Sequence, residues 1–217
     1  IAASDLARIS LVTMRPKSAA IHVAHAFTVH EQDSEDDYFS AVDDLVQEAG
    51  GQGSGHINSS ELTSGLYYGY VVVDVPLLVS NLTGCDAEDW ESADRRVAAE
   101  IVSRLIHLIC TVSPGAKLGS TAPYSRAHWV MVEAGVQQPR SLANAFMNPV
   151  PSRGDVLHAT YGQLVHHVED LDRMYSGDED RVFAALGADE LLGSLGKRME
   201  SLTDVRHWAA GRVQGEA

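Results

Sequence analysis

AIHVAHAFTVHEQDSEDDYFSAVDDLVQEAGGQGSGHINSSELTSGLYYGYVVVDVPLLVSNL, residues 20–82, joins a short apolar segment, a long excursion and a strand, and the rest of the chain reads as its support. Ile21, Val23, Ala24 and Phe27, set between His22, His25 and His30, predict a short helix. Leu66, Tyr68, Tyr70 and Val72 alternate with Tyr67, Gly69, Val71 and Val73, which predicts a strand. The residues between them, about 31–62, are too many for an ordinary connection. Structureless links beyond roughly 12–15 residues are uncommon in compact domains and are usually functional arms or tethers. This one holds an apolar kernel, Tyr38, Phe39, Ala41, Val42, Leu45 and Val46, and a GGQGSG patch at Gly50–Gly55 that cannot keep regular structure. The excursion is expected to be an irregular arm built to touch a partner.

Upstream, residues 1–18 mix apolar residues with Arg8, Arg15 and Lys17 and break at Pro16. Downstream, Asp74 and Pro76 open a short helix that Gly84 ends. A longer helix is expected from Asp86 to Pro114, with Trp90, Val97, Ile101, Leu105, Leu108 and Val112 as its apolar face. A loop from Ala116 then leads into a strand in which Trp129, Met131 and Glu133 oppose Val130 and Val132. Short helical stretches follow at Ser141–Phe146 and Thr203–Val213, and a long one at Val156–Tyr175, with GDED and the apolar turn AALGADELLGSLG before the last. Strand, helix, loop and strand, with one more strand upstream, is the order of an α/β, ferredoxin-like or RRM-type palm.

A length of 217 residues with 45% hydrophobic content suits one domain. The net charge of −14 argues, taken alone, against phosphate contacts. No Lys or Arg occurs from Ser18 to Asp94, while Glu31, Asp33, Glu35, Asp36, Asp37, Asp43, Asp44 and Glu48 crowd the arm. Cys85 and Cys110 have no metal-ligand spacing and fit a reducing compartment as buried apolar residues. No apolar run reaches the roughly 18–20 residues of a membrane span, and no signal pattern opens the chain, so a cytoplasmic protein is expected. His22, His25 and His30 with Glu31 and Asp33, and His166, His167 and Asp170, have the composition of metal ligands but not the i, i+4 pairing with a Glu of a zinc hydrolase. Neither a nucleophile elbow nor a phosphate loop is present. The expectation is a protein that is not an enzyme and needs no cofactor or metal.

Five stretches carry a resemblance. AHAFTVHEQDSEDDYFSAVDDL, SELTSGLYYGYVVVDVPLLVSNL, SPGAK, HWVMVEAG and PRSLANAF resemble, in order and spacing, the CasC family, the repeating backbone subunit of the type I-E CRISPR Cascade complex. That family is longer and has a first sheet strand and a finger region ahead of this segment. The resemblance therefore implies a C-terminal portion: residues 1–18 a finger remnant, 19–150 a partial palm lacking its first strand with the thumb arm inserted at about 31–62, and 151–217 a helical end of the same domain. It implies guide-RNA binding, with target DNA met through the guide, copies stacked head to tail, and other Cascade subunits as partners.

The same resemblance assigns roles residue by residue. DYFSAVDD matches the family's base-displacing wedge, which gives Tyr38, Phe39 and Ser40 contact with RNA, and HINSS matches a stretch beside the same kinked nucleotide, which adds Ile57. SPGAKLGST offers Gly115, Gly119 and Lys117 to a phosphate. Arg8 corresponds to a finger-region Arg. Gly69 stands where related chains tend to carry an Arg. Two other readings remain open from the residues themselves. Phe39 can simply fold the arm on itself, and an acidic chain of this kind can be a protein-interaction module that assembles with other subunits without touching nucleic acid; a metal-dependent nuclease is a distant third.

Overall fold

The computed structural model describes residues 3–12, 19–31, 34–41, 56–63, 65–113, 124–177, 179–187 and 190–216, the first, third and fourth of these as backbone only. The expected strand is β6, Gly65–Asp74, whose Val71–Val73 run is buried on both faces. Such a run marks an inner strand of a sheet covered on both sides. Its neighbour is β1, Ala3–Val12, which pairs parallel with β6 from Ala3↔Gly65 to Val12↔Asp74 and, on its other side, parallel with β7, Trp129–Ala134. Residues 3–12 are therefore not a remnant outside a sheet that lacks a strand; they fill its centre. The physical reason is that β6 and β7 are both buried, and a gap between them would strand two rows of backbone donors and acceptors.

The segment expected to be helical at 20–30 is instead two short strands, β2, Ile21–Val23, and β3, Phe27–Thr28, both antiparallel to β6. Its apolar residues are too few for a helix to bury, and β-branched Ile21 and Val23 find ladder partners in Val73 and Val71. On the far side β8, Asp180–Ala185, lies antiparallel to β7 between GDED and the apolar turn, where the sequence reading places no strand, and β9, Lys197–Arg198, closes the edge. The sheet order is β2-β6-β1-β7-β8-β9, with β3 also on β6.

Helix α1, Val75–Thr83, begins where the Asp74 carboxylate accepts the Leu77 N–H at 3.0 Å and ends at Gly84, φ 78°. Helix α2, Arg96–Thr111, starts ten residues after the expected Asp86, following a 3-10 turn at Trp90–Ser92. Its buried stripe is Ala98, Ala99, Val102, Ser103, Ile106 and Cys110, so Val97, Leu108 and Val112, read as core, are exposed. Small residues let the helix lie close on the valine-rich sheet, and the larger ones are turned outward. Helix α3, Val156–Tyr175, and helix α4, Leu202–Gln214, fall where expected, and Ala143–Phe146 is a 3-10 turn. None of the described helices is long and apolar enough to cross a membrane.

The α/β class read from the sequence holds, in three layers. Val71, Val73, Val130, Val132 and Val182 pack under α1, α2 and α4. On the opposite face Tyr68, Tyr70, Trp129, Met131 and Phe183 pack against Tyr161, Leu164 and Val168 of α3 and against Leu142 and Phe146. The strand and helices β6-α1-α2-β7 form a split β-α-β unit around β1, as in a ferredoxin-like palm, but β1 runs parallel to both neighbours and α3 covers the face that an RRM sheet leaves for bases.

Candidate functional site

The arm is built from strands rather than irregular chain. β4, Ser34–Ala41, pairs antiparallel with β5, His56–Thr63, and the two make a sheet of their own. The register sets Tyr38 opposite Ser59, Phe39 opposite Asn58 and Ser40 opposite Ile57. Four residues singled out from sequence thus meet in one stretch of ladder. Because positions alternate between the faces of a pleated ladder, 38, 40, 57 and 59 share one face and 39 and 58 the other. Gly115, Lys117, Gly119 and the Gly50–Gly55 patch lie outside the described residues. Arg8 falls on β1 between Tyr70 and Met131, at the sheet's centre and away from the hairpin in the topology.

An isolated two-stranded hairpin is marginal in water, so the root matters. Val29 N–H donates to the Leu66 carbonyl at 3.0 Å, Val150 N–H to Val29 at 2.9 Å and Glu31 N–H to Val150 at 3.2 Å. The segment entering the arm is thereby tied to β6 on one side and to residue 150 on the other.

Sequence reading missed a buried charge cluster on the α3 face of the sheet. Glu133 of β7 and Arg181 of β8 are cross-strand partners in the register, with Nε 2.8 Å from Oε1 and side chains 5% and 7% exposed. Arg181 also donates through both terminal nitrogens to Asp172 of α3 at 2.8 Å, and Arg140 reaches Asp172 at 2.7 Å and Glu179 at 3.2 Å. The signal available was Glu133 itself, a carboxylate within WVMVEA, since a charge in a buried strand requires a buried partner. Burial raises the Asp172 pKa, but hydrogen bonds from Arg181 and then Arg140 outweigh it and hold the carboxyl below its usual range. A depressed folded pKa means the stabilisation is complete above the unfolded value, about 3.9, and is lost as pH falls through the folded value. Urea midpoints measured stepwise below about pH 4 should therefore fall more steeply for the wild type than for Asp172→Asn. Coincident profiles would remove Asp172 from the account.

Among the described residues no group of three His, Cys, Asp or Glu is placed to hold a metal. His166 lies 3.3 Å from Asp170, which also binds Arg173 at 2.7 Å, so that set forms pairs on the exposed surface of α3. Cys110 is buried and Cys85 half-buried, and neither is in a disulfide.

A model of the family described as CT1975-like protein matches residues 12–208. One similar solved chain, described as CRISPR RNA-guided surveillance complex, is 28% identical with a TM-score of 0.71, over 89% of this chain and 70% of that one. A second, described as CRISPR RNA-guided surveillance complex, pre-nicking, is 29% identical with a TM-score of 0.76, over 90% of this chain but only 55% of that one. Comparison with curated proteins gave no match.

Proposed function

The chain belongs to the family of CT1975-like proteins, and on that premise we propose that it is a non-catalytic backbone subunit of a CRISPR RNA-guided surveillance complex. In this reading it is a cytoplasmic, CasC-like protein that grips guide RNA, stacks head to tail with its own copies, joins other subunits and meets target DNA through the guide. The likeness in fold, across most of the chain, to chains of such complexes is the observation that carries it. Phe39, flanked by Tyr38 and Ser40 and across the ladder from the Asn58–Ile57 step, is the wedge between bases. Gly115, Lys117 and Gly119 offer amides and one cation to a phosphate. Arg8 has a central place in the sheet, between Tyr70 and Met131 in the register. Heterologous contacts of this kind generate an open helical filament, and sequence is then read by guide pairing while the protein reads backbone and shape.

The test is co-purification of the complete protein with its partner subunits and cellular RNA. RNA of uniform length is expected, and Phe39→Ala should weaken its retention roughly 5- to 150-fold, the range for losing one base–aromatic stack. Lys117→Ala should lower both affinity and its salt dependence. The net charge of −14 favours a second reading, an interaction module that docks only on protein. Subunits that assemble without RNA, with affinity insensitive to ionic strength, would decide for it.

A further inference from the structure

One side chain joins the two ends of the arm where they meet the sheet. His30 Nε2 accepts the Leu66 N–H at 3.0 Å, and His30 Nδ1 lies 2.6 Å from the Glu31 carbonyl oxygen. An amide N–H can only donate and a carbonyl can only accept, so a ring that makes both bonds carries its proton on Nδ1 and none on Nε2. It is the neutral ring. A second proton on Nε2 would face donor to donor, and the Leu66 amide, in a residue 6% exposed, would lose its acceptor. Gly65 makes room for this arrangement, since a Cβ there would sit 3.2 Å from Nε2 and 3.0 Å from the Thr28 methyl.

We propose that His30 is a positioning residue for the arm, a clamp whose ring fixes the root of the β4–β5 hairpin to β6. The clamp holds whatever the arm contacts, so it stands or falls apart from the RNA reading.

Hydrogen exchange of the full chain without RNA tests it, with wild type, His30→Gln and His30→Leu compared at one pH so that intrinsic exchange rates are matched. The substituted carboxamide can accept from Leu66 through its oxygen, so His30→Gln should exchange like the wild type at Leu66 and in peptides covering 34–41 and 56–63. His30→Leu should exchange there roughly two- to tenfold faster, the factor for one net hydrogen bond. Should it fail to fold, His30→Asn, whose carboxamide is one methylene shorter, takes its place. A folded His30→Leu or His30→Asn as slow as wild type, or His30→Gln faster than wild type by the same factor, would overturn the clamp.

Discussion

Arg181→Ala is expected to destabilise the fold by about 3–5 kcal/mol, the cost of removing one partner from a buried ion pair. The guanidinium spans Glu133 on the neighbouring strand and Asp172 on the covering helix, so its loss takes from Glu133 its nearest cation and leaves Arg140 at 3.7 Å. Bulk solvent reaches the carboxylate poorly, because the Glu133 side chain is only 5% exposed. The double change Glu133→Leu with Arg181→Met should recover most of the loss, since an apolar pair of similar volume avoids desolvating two charges, and Asp172 would keep Arg140. Chemical denaturation of the three proteins checks both statements. A single variant within about 1 kcal/mol of wild type, the level of an exposed pair, would mean that the cluster is solvated and does not clasp α3 to the sheet.

What the sequence made legible was whatever punctuation and period specify locally. Asp74, Pro76 and Gly84 mark both ends of α1, and the alternation from Leu66 to Val73 sorts into the two faces of β6. The misreadings share a cause. Over residues 21–28 the apolar run is too short for its period to separate helix from strand, and β6 as a pairing partner decides it. In α2 the largest apolar residues suggested the buried face, whereas close packing on the sheet selected Ala98 and Ala99. The strand character of residues 3–12 depends on β6 and β7, more than fifty and more than a hundred residues further on. In the candidate site, the adjacent aromatics Tyr38 and Phe39 allowed either a wedge or a self-packed arm, and only the resemblance chose between them. Their meeting with Ile57 depends on a ladder register across a 14-residue gap, 42–55, that no local signal fixes. The charge cluster draws on positions 133, 140, 172, 179 and 181, and only Glu133 stood out from its surroundings.

Tyr68 is where the fold and the arm's root are coupled, and Tyr68→Ala should cost about 3–5 kcal/mol, as for other large aromatic truncations. The residue is 1% exposed, its ring lies 5.5 Å from Phe27 and 5.8 Å from Phe146, and its hydroxyl oxygen accepts the Leu142 N–H at 2.9 Å. Removing the side chain opens a cavity between β3 and the 143–146 turn and also orphans a buried amide. Tyr68→Phe separates the two effects: the rings stay packed, the Leu142 N–H loses its acceptor, and the expected loss is about 1–3 kcal/mol. Phe27 and Tyr68 are register partners two residues from Val29 and Leu66, which bind each other at the arm's root. The alanine variant should therefore speed exchange at Leu66, while the phenylalanine variant should leave it near wild type. Equal losses for the two variants would assign the stabilisation to the hydrogen bond rather than to ring packing. A Tyr68→Ala protein with unchanged exchange at Leu66 would show that β3 and the arm's root are held independently of the aromatic cluster.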